Sequence, residues 1–345
     1  MIGTQSLRTN DRMDRPSRLH SVSAACFVAL SGLTACSGGG GTAAQSGLPQ
    51  TPESSGLAQR SMATCNYSTV QRLLNGGGTV RLPTGICAID KKLVVTKPNT
   101  FIVGAGGSFQ GDGSFKPASA LKWNGAPGGT ILQFGSGHAY ISGGGMTGVA
   151  LISNRGLAAG GLDVVHVRNA TFAGITGDSF TKAAIAFDGS RHNLMKNFSF
   201  YNGSPCNRGA GLVLADAQHD VFDDSYIHVC DGTGIEFLAT SDETVNDTHE
   251  QAPAPGLGVL FGCGSNHDVM NWLSPLYSSP GARNSVRVYG ARECGGAPGS
   301  TYSRIDLYDV NDNASAPPVV APGTHFTCTT DGGVPCATST PLPKR

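Results

Sequence analysis

A short phrase recurs through the second half of the chain and constrains its fold more than any other feature. Each copy places two large apolar residues two positions apart, the period of a β-strand with one buried face. Successive copies begin 19 to 27 residues apart, a spacing typical of solenoids, and no helical pattern separates them. We therefore predict an all-β parallel β-helix in which every copy adds one strand to the same sheet. The copies read Gly161-Leu162-Asp163-Val164, Ala184-Ile185-Ala186-Phe187, Gly211-Leu212-Val213-Leu214, Gly234-Ile235-Glu236-Phe237, Gly258-Val259-Leu260-Phe261, Ser285-Val286-Arg287-Val288 and Arg304-Ile305-Asp306-Leu307.

The composition agrees with an ordered solenoid. The chain has 49 glycines in 345 residues, about twice the usual share of ~7 %, and tight corners between strands require glycine because they need positive φ. Charged residues make up only 14 %, but 39 % of the chain is hydrophobic and periodically placed, which argues against disorder. The formal net charge is zero and no basic stripe is present, so we expect no nucleic-acid partner.

The first 62 residues have the pattern of an export signal followed by a linker. A short apolar run at 21–35 follows four arginines, and it is too short to span a membrane. Its end, Leu33-Thr34-Ala35-Cys36, resembles the lipobox of bacterial lipoproteins. The resemblance implies that 1–35 is removed, that Cys36 carries lipid, and that the protein is anchored in the cell envelope at the outer membrane. Residues 36–62 are rich in Gly, Ser and Pro and are predicted to form a flexible tether.

Eight cysteines remain after the leader and Cys36 are set aside, and export favours disulfide bonds over thiol chemistry. Cys206 precedes Leu212 by six residues and Cys230 precedes Ile235 by five, so both fall at matching points of adjacent coils. Neighbouring strands are ~4.8 Å apart, within disulfide reach, and we predict a Cys206–Cys230 bond. Proximity in the chain suggests three further pairs: Cys65–Cys87, Cys263–Cys294 and Cys328–Cys336.

The start of the predicted solenoid, 63–313, carries a family resemblance. Apolar residues at 70, 73 and 74 predict a short helix that caps the first coil. After it come Gly76-Gly77-Gly78-Thr79-Val80-Arg81-Leu82-Pro83-Thr84-Gly85, Leu93-Val94-Val95 and Val103-Gly104-Ala105-Gly106. This opening resembles the pectate-lyase-like right-handed β-helix superfamily, which includes polysaccharide lyases, polygalacturonases, sugar epimerases and phage tailspikes. The resemblance runs over about residues 66–310 and implies a single-stranded right-handed β-helix, but no particular activity.

Three further stretches bear on the organisation. His192, His219 and His267 recur at coil spacing, and we interpret them as a corner ladder rather than a metal or catalytic array. Residues 239–257 are rich in acidic and polar side chains, and we expect an exposed loop there. Residues 314–345 are rich in Pro, Ser and Thr and are predicted to form a terminal tail stapled by Cys328 and Cys336.

The positions that carry the acids of polygalacturonases lie just before successive Gly-Ile strands in that family. Here they read Lys182-Ala183-Ala184, Gly209-Ala210-Gly211 and Gly232-Thr233-Gly234, with neither the acids nor Gly-His-Gly. Since glycoside hydrolysis needs two carboxylates around one bond, the sequence disfavours a hydrolase.

A lyase remains compatible with the charged residues near the same strands. Lys182, Arg208 and Asp231 stand three or four residues before their strands and should stack on consecutive coils. We predict Lys182 or Arg208 near the proton-abstraction step, because the resemblance implies an Arg or Lys base and a neutralised uronate carboxylate. We predict that Asp231, Asp216 and Glu236 bind substrate or Ca²⁺, the one cofactor the resemblance suggests, with Asp188 also binding substrate and Tyr201 stacking on sugar rings. The alternative is a solvated solenoid face with exposed ion pairs.

Two function classes therefore stay open. The first is an envelope-anchored β-helix protein that binds a uronic-acid-containing polysaccharide and cleaves it as a lyase. The second is a non-catalytic adhesin or envelope scaffold that uses the regular solenoid face for binding. They differ in whether the charged residues form one local cluster, as an enzyme requires.

Overall fold

Short β-strands that pair in parallel make up most of the described chain. A computed structural model describes residues 64–109, 115–137, 139–201, 208–251, 256–275, 286–307, 317–330 and 333–341. The expected signal peptide, Cys36 and the linker lie outside these residues, as does Cys206. Within the described ranges, no helix is long and apolar enough to cross a membrane.

The elements follow one another in short segments. The one helix of the described residues, α1, spans Tyr67–Gly76. The strands before and within the first coils are β1 (Thr79–Arg81), β2 (Gly85–Ile89), β3 (Leu93–Val95), β4 (Phe101–Val103), β5 (Gly107–Phe109), β6 (Phe115–Pro117), β7 (Ser119–Trp123), β8 (Gly129–Phe134), β9 (Ile141–Ser142), β10 (Gly145–Thr147), β11 (Ala150–Ile152), β12 (Ala158–Val165) and β13 (Val167–Arg168). The later strands are β14 (Thr171–Ala173), β15 (Thr176–Asp178), β16 (Ala183–Asp188), β17 (Leu194–Tyr201), β18 (Ala210–Ala215), β19 (Val221–His228), β20 (Thr233–Leu238), β21 (Thr244–Gln251), β22 (Leu257–Phe261), β23 (Val269–Pro275), β24 (Val286–Val288), β25 (Ser303–Leu307), β26 (Val319–Val320) and β27 (Phe326–Thr330).

The strands form two large parallel sheets, and the predicted β-helix is confirmed. In the part of the chain that the structure describes, the nine-stranded sheet runs β3-β8-β12-β16-β18-β20-β22-β24-β26. The second sheet, called the long sheet here, runs β1-β4-β10-β14-β17-β19-β21-β23-β25-β27, and a row β2-β7-β11-β15 joins it at β17. Each later coil therefore contributes one strand to each sheet, as a solenoid requires.

The recurring phrase maps onto one sheet with a single exception. Its first six copies lie in β12, β16, β18, β20, β22 and β24 of the nine-stranded sheet. The seventh copy, around Ile305, lies in β25 of the long sheet instead, where Met270 is its partner. The expectation of one common sheet was wrong there because both sheets bury alternate residues, so period two alone does not distinguish them.

The core lies between the two sheets and is rich in phenylalanine. Phe172 meets Phe134 and Phe187 edge-on, with ring centroids 5.3 and 5.7 Å apart. Phe187 in turn meets Phe222 at 5.0 Å, so rings from both sheets interdigitate across several coils. Edge-to-face pairs of this kind add ~0.5–1.5 kcal/mol each beyond the burial of apolar area.

The predicted cap is present at the N-terminal end. Asn66 is the N-cap of α1, and its side chain accepts a hydrogen bond from the backbone N–H of Thr69. Val70 and Leu74 are fully buried against the first coil, and Gly77 ends the helix with a positive φ of 71°. The helix thus covers apolar side chains that the first coil would otherwise expose.

Disulfide bonds join the pairs expected from proximity, Cys65–Cys87, Cys263–Cys294 and Cys328–Cys336. Cys230 is disulfide-bonded, but its predicted partner Cys206 is not among the described residues. Part of the expected tail, 314–345, is regular: β26 and β27 extend the two sheets beyond β24 and β25.

The corner between the nine-stranded sheet and the long sheet repeats on every coil. His192, His219, Asp242, His267 and Tyr302 all have a positive φ of 53–57°, a conformation that such residues adopt only at defined turns. The rings of His192 and His219 stack 5.0 Å apart, and those of His267 and Tyr302 stack at 5.1 Å. The histidines therefore form a structural ladder along the corner.

A buried row of polar residues accompanies this ladder, one position further along the chain. Asn193 and the three acids of the carboxyl column, Asp220, Glu243 and Asp268, are at most 2 % exposed. Each acid accepts the backbone N–H of the residue one coil earlier, from Asn193, Asp220 and Glu243 respectively. The expectation of an exposed loop at 239–257 was thus wrong, because Glu243 is buried and β21 continues the long sheet.

Candidate functional site

The first group of predicted site residues lies where the chain turns into the nine-stranded sheet. Arg208 and Asp231 stand on adjacent coils just before β18 and β20, and Arg208 Nε donates to Asp231 Oδ2 at 2.9 Å. Lys182 lies exposed on the preceding coil, and its carbonyl accepts a hydrogen bond from the backbone N–H of Ala210. Arg208 is therefore in register with Asp231, whereas Lys182 is level with Gly209, one residue out of the predicted stack. We call Lys182, Arg208 and Asp231, which all lie at this turn, the edge row.

The ion pair changes the role that Arg208 can play. A guanidinium stays protonated at any ordinary pH, so Arg208 is suited to neutralise an anion rather than to abstract a proton. The Arg208 side chain is 86 % exposed, whereas that of Asp231 is 26 % exposed. A ligand carboxylate can therefore reach the guanidinium from solvent in competition with Asp231.

The predicted substrate-binding acids do not converge on one point. Asp188 is aligned with Ala215 at the end of the strands, and Glu236 lies in another column, between Val213 and Leu260. Asp216 is exposed in the turn after β18, with a φ of 49°. In the described ranges, no three His, Cys, Asp or Glu side chains are grouped so that they could hold a metal ion.

A charged set on the first coils of the nine-stranded sheet was missed from sequence. Asp163 points outward next to Gln133, whose amide oxygen accepts a hydrogen bond from Lys92 Nζ at 2.5 Å. Burial raises the pKa of Asp163, and the Asp188 carboxylate adds to the rise, against a hydrogen bond from Thr130 and the charges of Lys92 and Lys182. Asp163 is the outward residue of the first copy of the recurring phrase, the position that Glu236 occupies in the fourth copy.

A second group lies on the outer face of the long sheet, where the strands end next to the edge row. Asp178, Tyr201 and His228 are aligned on consecutive coils, and Tyr226 and His249 form the neighbouring column. The rings of Tyr201 and His228 stack with centroids 4.6 Å apart and planes 17° from parallel. We call Tyr201, Tyr226, His228 and His249 the aromatic–histidine face.

Burial gives these groups unusual proton affinities. The pKa of His228 is lowered by burial, so its imidazole is neutral over most of the physiological range. Its Nδ1 is buried and finds no hydrogen-bond partner among the described residues. The pKa of Tyr226 is raised by burial and further by the neighbouring Tyr201. Burial likewise raises the pKa of Asp178, against a hydrogen bond from Ser179. The face therefore combines a neutral base with phenol donors.

The aromatic–histidine face and the edge row are close along the chain. Asp231 follows His228 by three residues, which limits their Cα separation to about 11 Å. Lys182 follows Asp178 by four residues. The turn into the nine-stranded sheet thus brings stacked rings, a neutral imidazole and a solvent-accessible guanidinium to one edge of the solenoid.

Only part of this face was found from sequence. Tyr201 had been predicted to bind sugar, whereas His228 and His249 had not been assigned a role. The residue spacing could have revealed them. Tyr201 and His228 are 27 residues apart, as are Ser199 and Tyr226, and this equals the distance from Ile185 to Leu212 on adjacent coils. Applying the spacing between first strands to the second strand of each coil predicts this alignment from the sequence alone.

Comparison with known proteins supports the β-helix fold but does not identify an activity. No protein-family model and no curated protein matches the chain. Among solved structures, it is similar to an alginate lyase from Paenibacillus sp. str. FPU-7, with 14 % identity and a TM-score of 0.53 over 78 % of this chain and 97 % of that one. It is also similar to PfbA, a surface adhesin of Streptococcus pneumoniae, with 14 % identity and a TM-score of 0.51 over 77 % of this chain and 76 % of that one. At such identity the similarity establishes a shared β-helix fold, not a shared activity.

Proposed function

We propose that this protein binds a uronic-acid-containing polysaccharide at the aromatic–histidine face and cleaves it by β-elimination. The observation that carries the proposal is the stack of Tyr201 on His228, with Tyr226 alongside. Aromatic side chains can pack against the apolar parts of a sugar, and phenol and imidazole groups can bond its hydroxyls. The fold shared with a protein described as an alginate lyase is compatible with the same substrate class.

Elimination needs three groups, and this edge offers each of them. A base removes the proton next to the uronate carboxylate, a cation stabilises the resulting charge, and an acid protonates the departing oxygen as the carbon–carbon double bond forms. His228 is the neutral base, and Arg208 is the cation once the substrate carboxylate displaces Asp231. Tyr201 and Tyr226 are the phenols that donate to the leaving oxygen. Lys182 adds positive charge on the preceding coil.

The test is incubation of the mature chain with polymers of mannuronate, guluronate, galacturonate and glucuronate. Elimination leaves an unsaturated uronate whose ultraviolet absorbance is followed directly. His228→Gln and Tyr201→Phe should each lower the rate by about 10²–10⁴-fold, whereas Tyr140→Phe and His325→Gln, both away from this edge, should leave it unchanged. If the wild type yields no unsaturated product from any polymer, the catalytic part of the proposal is refuted.

A non-catalytic adhesin is the second candidate, and the Arg208–Asp231 pair favours it. The two charges already neutralise one another at 2.9 Å, as in a stable surface rather than an active site awaiting an anion. The fold shared with a protein described as a surface adhesin is compatible with this function. Saturable binding of a polymer without product, lost in Tyr201→Ala, would identify an adhesin.

Anchoring in the cell envelope through lipid on Cys36 belongs to the same proposal. Its support is the lipobox-like Leu33-Thr34-Ala35-Cys36 at the end of the apolar run. Labelled palmitate should be incorporated into the wild type and not into Cys36→Ala, and the variant should leave the membrane fraction. Equal labelling of both proteins would exclude Cys36 as the lipid site.

A further inference from the structure

A separate cavity of about 890 Å³ lies at the C-terminal end of the nine-stranded sheet. Its lining includes Arg287 in β24, Tyr289 directly after it, Arg292 and Glu293 from the loop that follows, and Ser339 from the C-terminal segment. The volume falls within the ~300–1,000 Å³ of small-molecule sites. The cavity is on a different sheet from the aromatic–histidine face, so the two sites are independent in the fold.

Both walls of this cavity are covalently fixed. The disulfide bond Cys263–Cys294 ties the loop with Arg292 and Glu293 to the preceding coil. On the other side, Cys328–Cys336 closes the segment that leads to Ser339. Ser339 is also bonded into the sheet, because its N–H donates to Pro318 and its carbonyl accepts from Val320. A ligand therefore meets preformed walls and loses little affinity to their ordering.

The charges in this cavity favour an anion. Arg287 and Arg292 are exposed, and neither guanidinium has a hydrogen bond or ion pair with a described residue. Glu293 is engaged locally, since its Oε2 accepts the backbone N–H of Gly290 at 3.1 Å. Two guanidinium groups without a described partner and one carboxylate that is already hydrogen-bonded therefore line the cavity, which gives it a net positive charge. Guanidinium groups bind carboxylates through paired N–H donors.

The rest of the lining matches a sugar. Val319 and Pro322 provide an apolar surface, and the Tyr289 ring adds a flat aromatic face. The hydroxyls of Ser339 and Thr340 supply hydrogen-bonding partners in the same lining. We propose that this cavity, which we call the arginine pocket, is a second binding site that takes the end of a carboxylated oligosaccharide. This inference rests on the chemistry of the pocket and not on the proposed lyase activity.

The test is calorimetric titration of the wild type with a trimer of galacturonate or mannuronate, and with a neutral glucose trimer as the comparison ligand. Arg287→Gln and Arg292→Gln should each weaken binding of the uronate trimer by about 10- to 100-fold, since each removes a charged hydrogen-bond donor. The matched control is Arg72→Gln, which removes the same charge from α1 at the other end of the chain and should bind like the wild type. Circular dichroism confirms that each variant is folded.

The outcomes separate this proposal from the proposed function. His228→Gln should keep the affinity for the uronate trimer that depends on Arg287 and Arg292, while losing elimination. Arg287→Gln should weaken that affinity and keep elimination. Lack of saturable binding of either uronate trimer by the wild type would overturn the pocket assignment, as would unchanged affinity in the double variant Arg287→Gln/Arg292→Gln. Equal affinity for the glucose trimer would show that the arginines do not select an anion.

Discussion

We expect the buried acids of the carboxyl column to lower the stability of this protein as the pH rises. One substitution should remove much of this loss of stability. Asp220, Glu243 and Asp268 are fully buried on consecutive coils. Burial raises the pKa of Asp268 to about 7, against hydrogen bonds from Thr240 and from the backbone N–H groups of Glu243 and Asn266. Burial also raises the pKa of Asp220, to about 6, and that of Glu243, to about 10, and for Glu243 the carboxylate of Asp220 adds to the rise.

The sign follows from proton binding in the two states. The unfolded chain loses the Asp268 proton near its ordinary pKa of 3.8, whereas the folded protein keeps it up to about pH 7. The folded state therefore binds more protons between these values, and the free energy of unfolding falls as the pH rises through this window. A difference of about three pKa units corresponds to about 4 kcal/mol, a large part of the ~5–15 kcal/mol that stabilises most domains.

Asp268→Asn tests this directly because asparagine has nearly the same shape and cannot ionise. Its Oδ1 can still accept the backbone N–H of Glu243, and its amide can donate to the hydroxyl of Thr240, which turns to accept. We expect the variant to be close to the wild type at pH 4 and more stable than it by up to about 4 kcal/mol at pH 8.

The measurement is urea unfolding followed by circular dichroism at half-unit steps from pH 4 to pH 9. Asp224→Asn is the matched control, because Asp224 is exposed on the long sheet and also has a positive φ, 55°, that asparagine accepts. Its curve should run parallel to that of the wild type. If the wild type and Asp268→Asn show the same pH dependence, Asp268 is not protonated in the folded protein and the reasoning is wrong.

Three further substitutions test the core, a backbone contact and the edge row. Phe187→Ala should destabilise the protein by about 3–5 kcal/mol in urea unfolding, because its ring is fully buried between Phe172 and Phe222; a smaller loss would mean that the core closes over the cavity. Gly145→Ala should destabilise the protein by about 1–3 kcal/mol or more, because Gly145 has a φ of 138° and a Cβ would lie 1.7 Å from the carbonyl oxygen of Thr171. Gly76→Ala is the control, since the space around Gly76 is open and the substitution should not lower stability in the same assay. Asp231→Asn should strengthen binding of polyuronate in calorimetry by freeing Arg208 while leaving stability within about 1 kcal/mol; unchanged or weaker binding would show that Arg208 does not contact the polymer.

The fold was largely predictable from local patterns. Two apolar residues at period two, returning about once per coil, predict parallel strands of a solenoid. The apolar residues at 70, 73 and 74 predict the capping helix. The prediction failed around Ile305, which has the same pattern but lies in the long sheet. Burial of alternate residues is a property of both sheets, so only pairing with Met270 and Cys328 decides which sheet a strand joins.

The prediction for the segment 239–257 was wrong for a different reason. Its acids and hydroxyls suggested solvent exposure, because an isolated charge is rarely buried. In the structure Glu243 is fully buried, and its carboxylate accepts the backbone N–H of Asp220 one coil earlier, at 3.4 Å. A residue type reports the average behaviour of that side chain, whereas the buried column depends on acceptors and donors contributed by neighbouring coils.

The candidate site was likewise predictable only in part. The sequence by itself determined the coil spacing and therefore the edge row, since Lys182, Arg208 and Asp231 precede aligned strands, and the Arg208–Asp231 contact follows from that alignment. Only the tertiary structure revealed that Tyr201 stacks on His228 next to this row, and that the C-terminal segment closes a cavity around Arg287 and Arg292. The physical reason is that periodicity specifies which residues share a column, whereas burial and the approach of distant segments depend on how the whole chain packs.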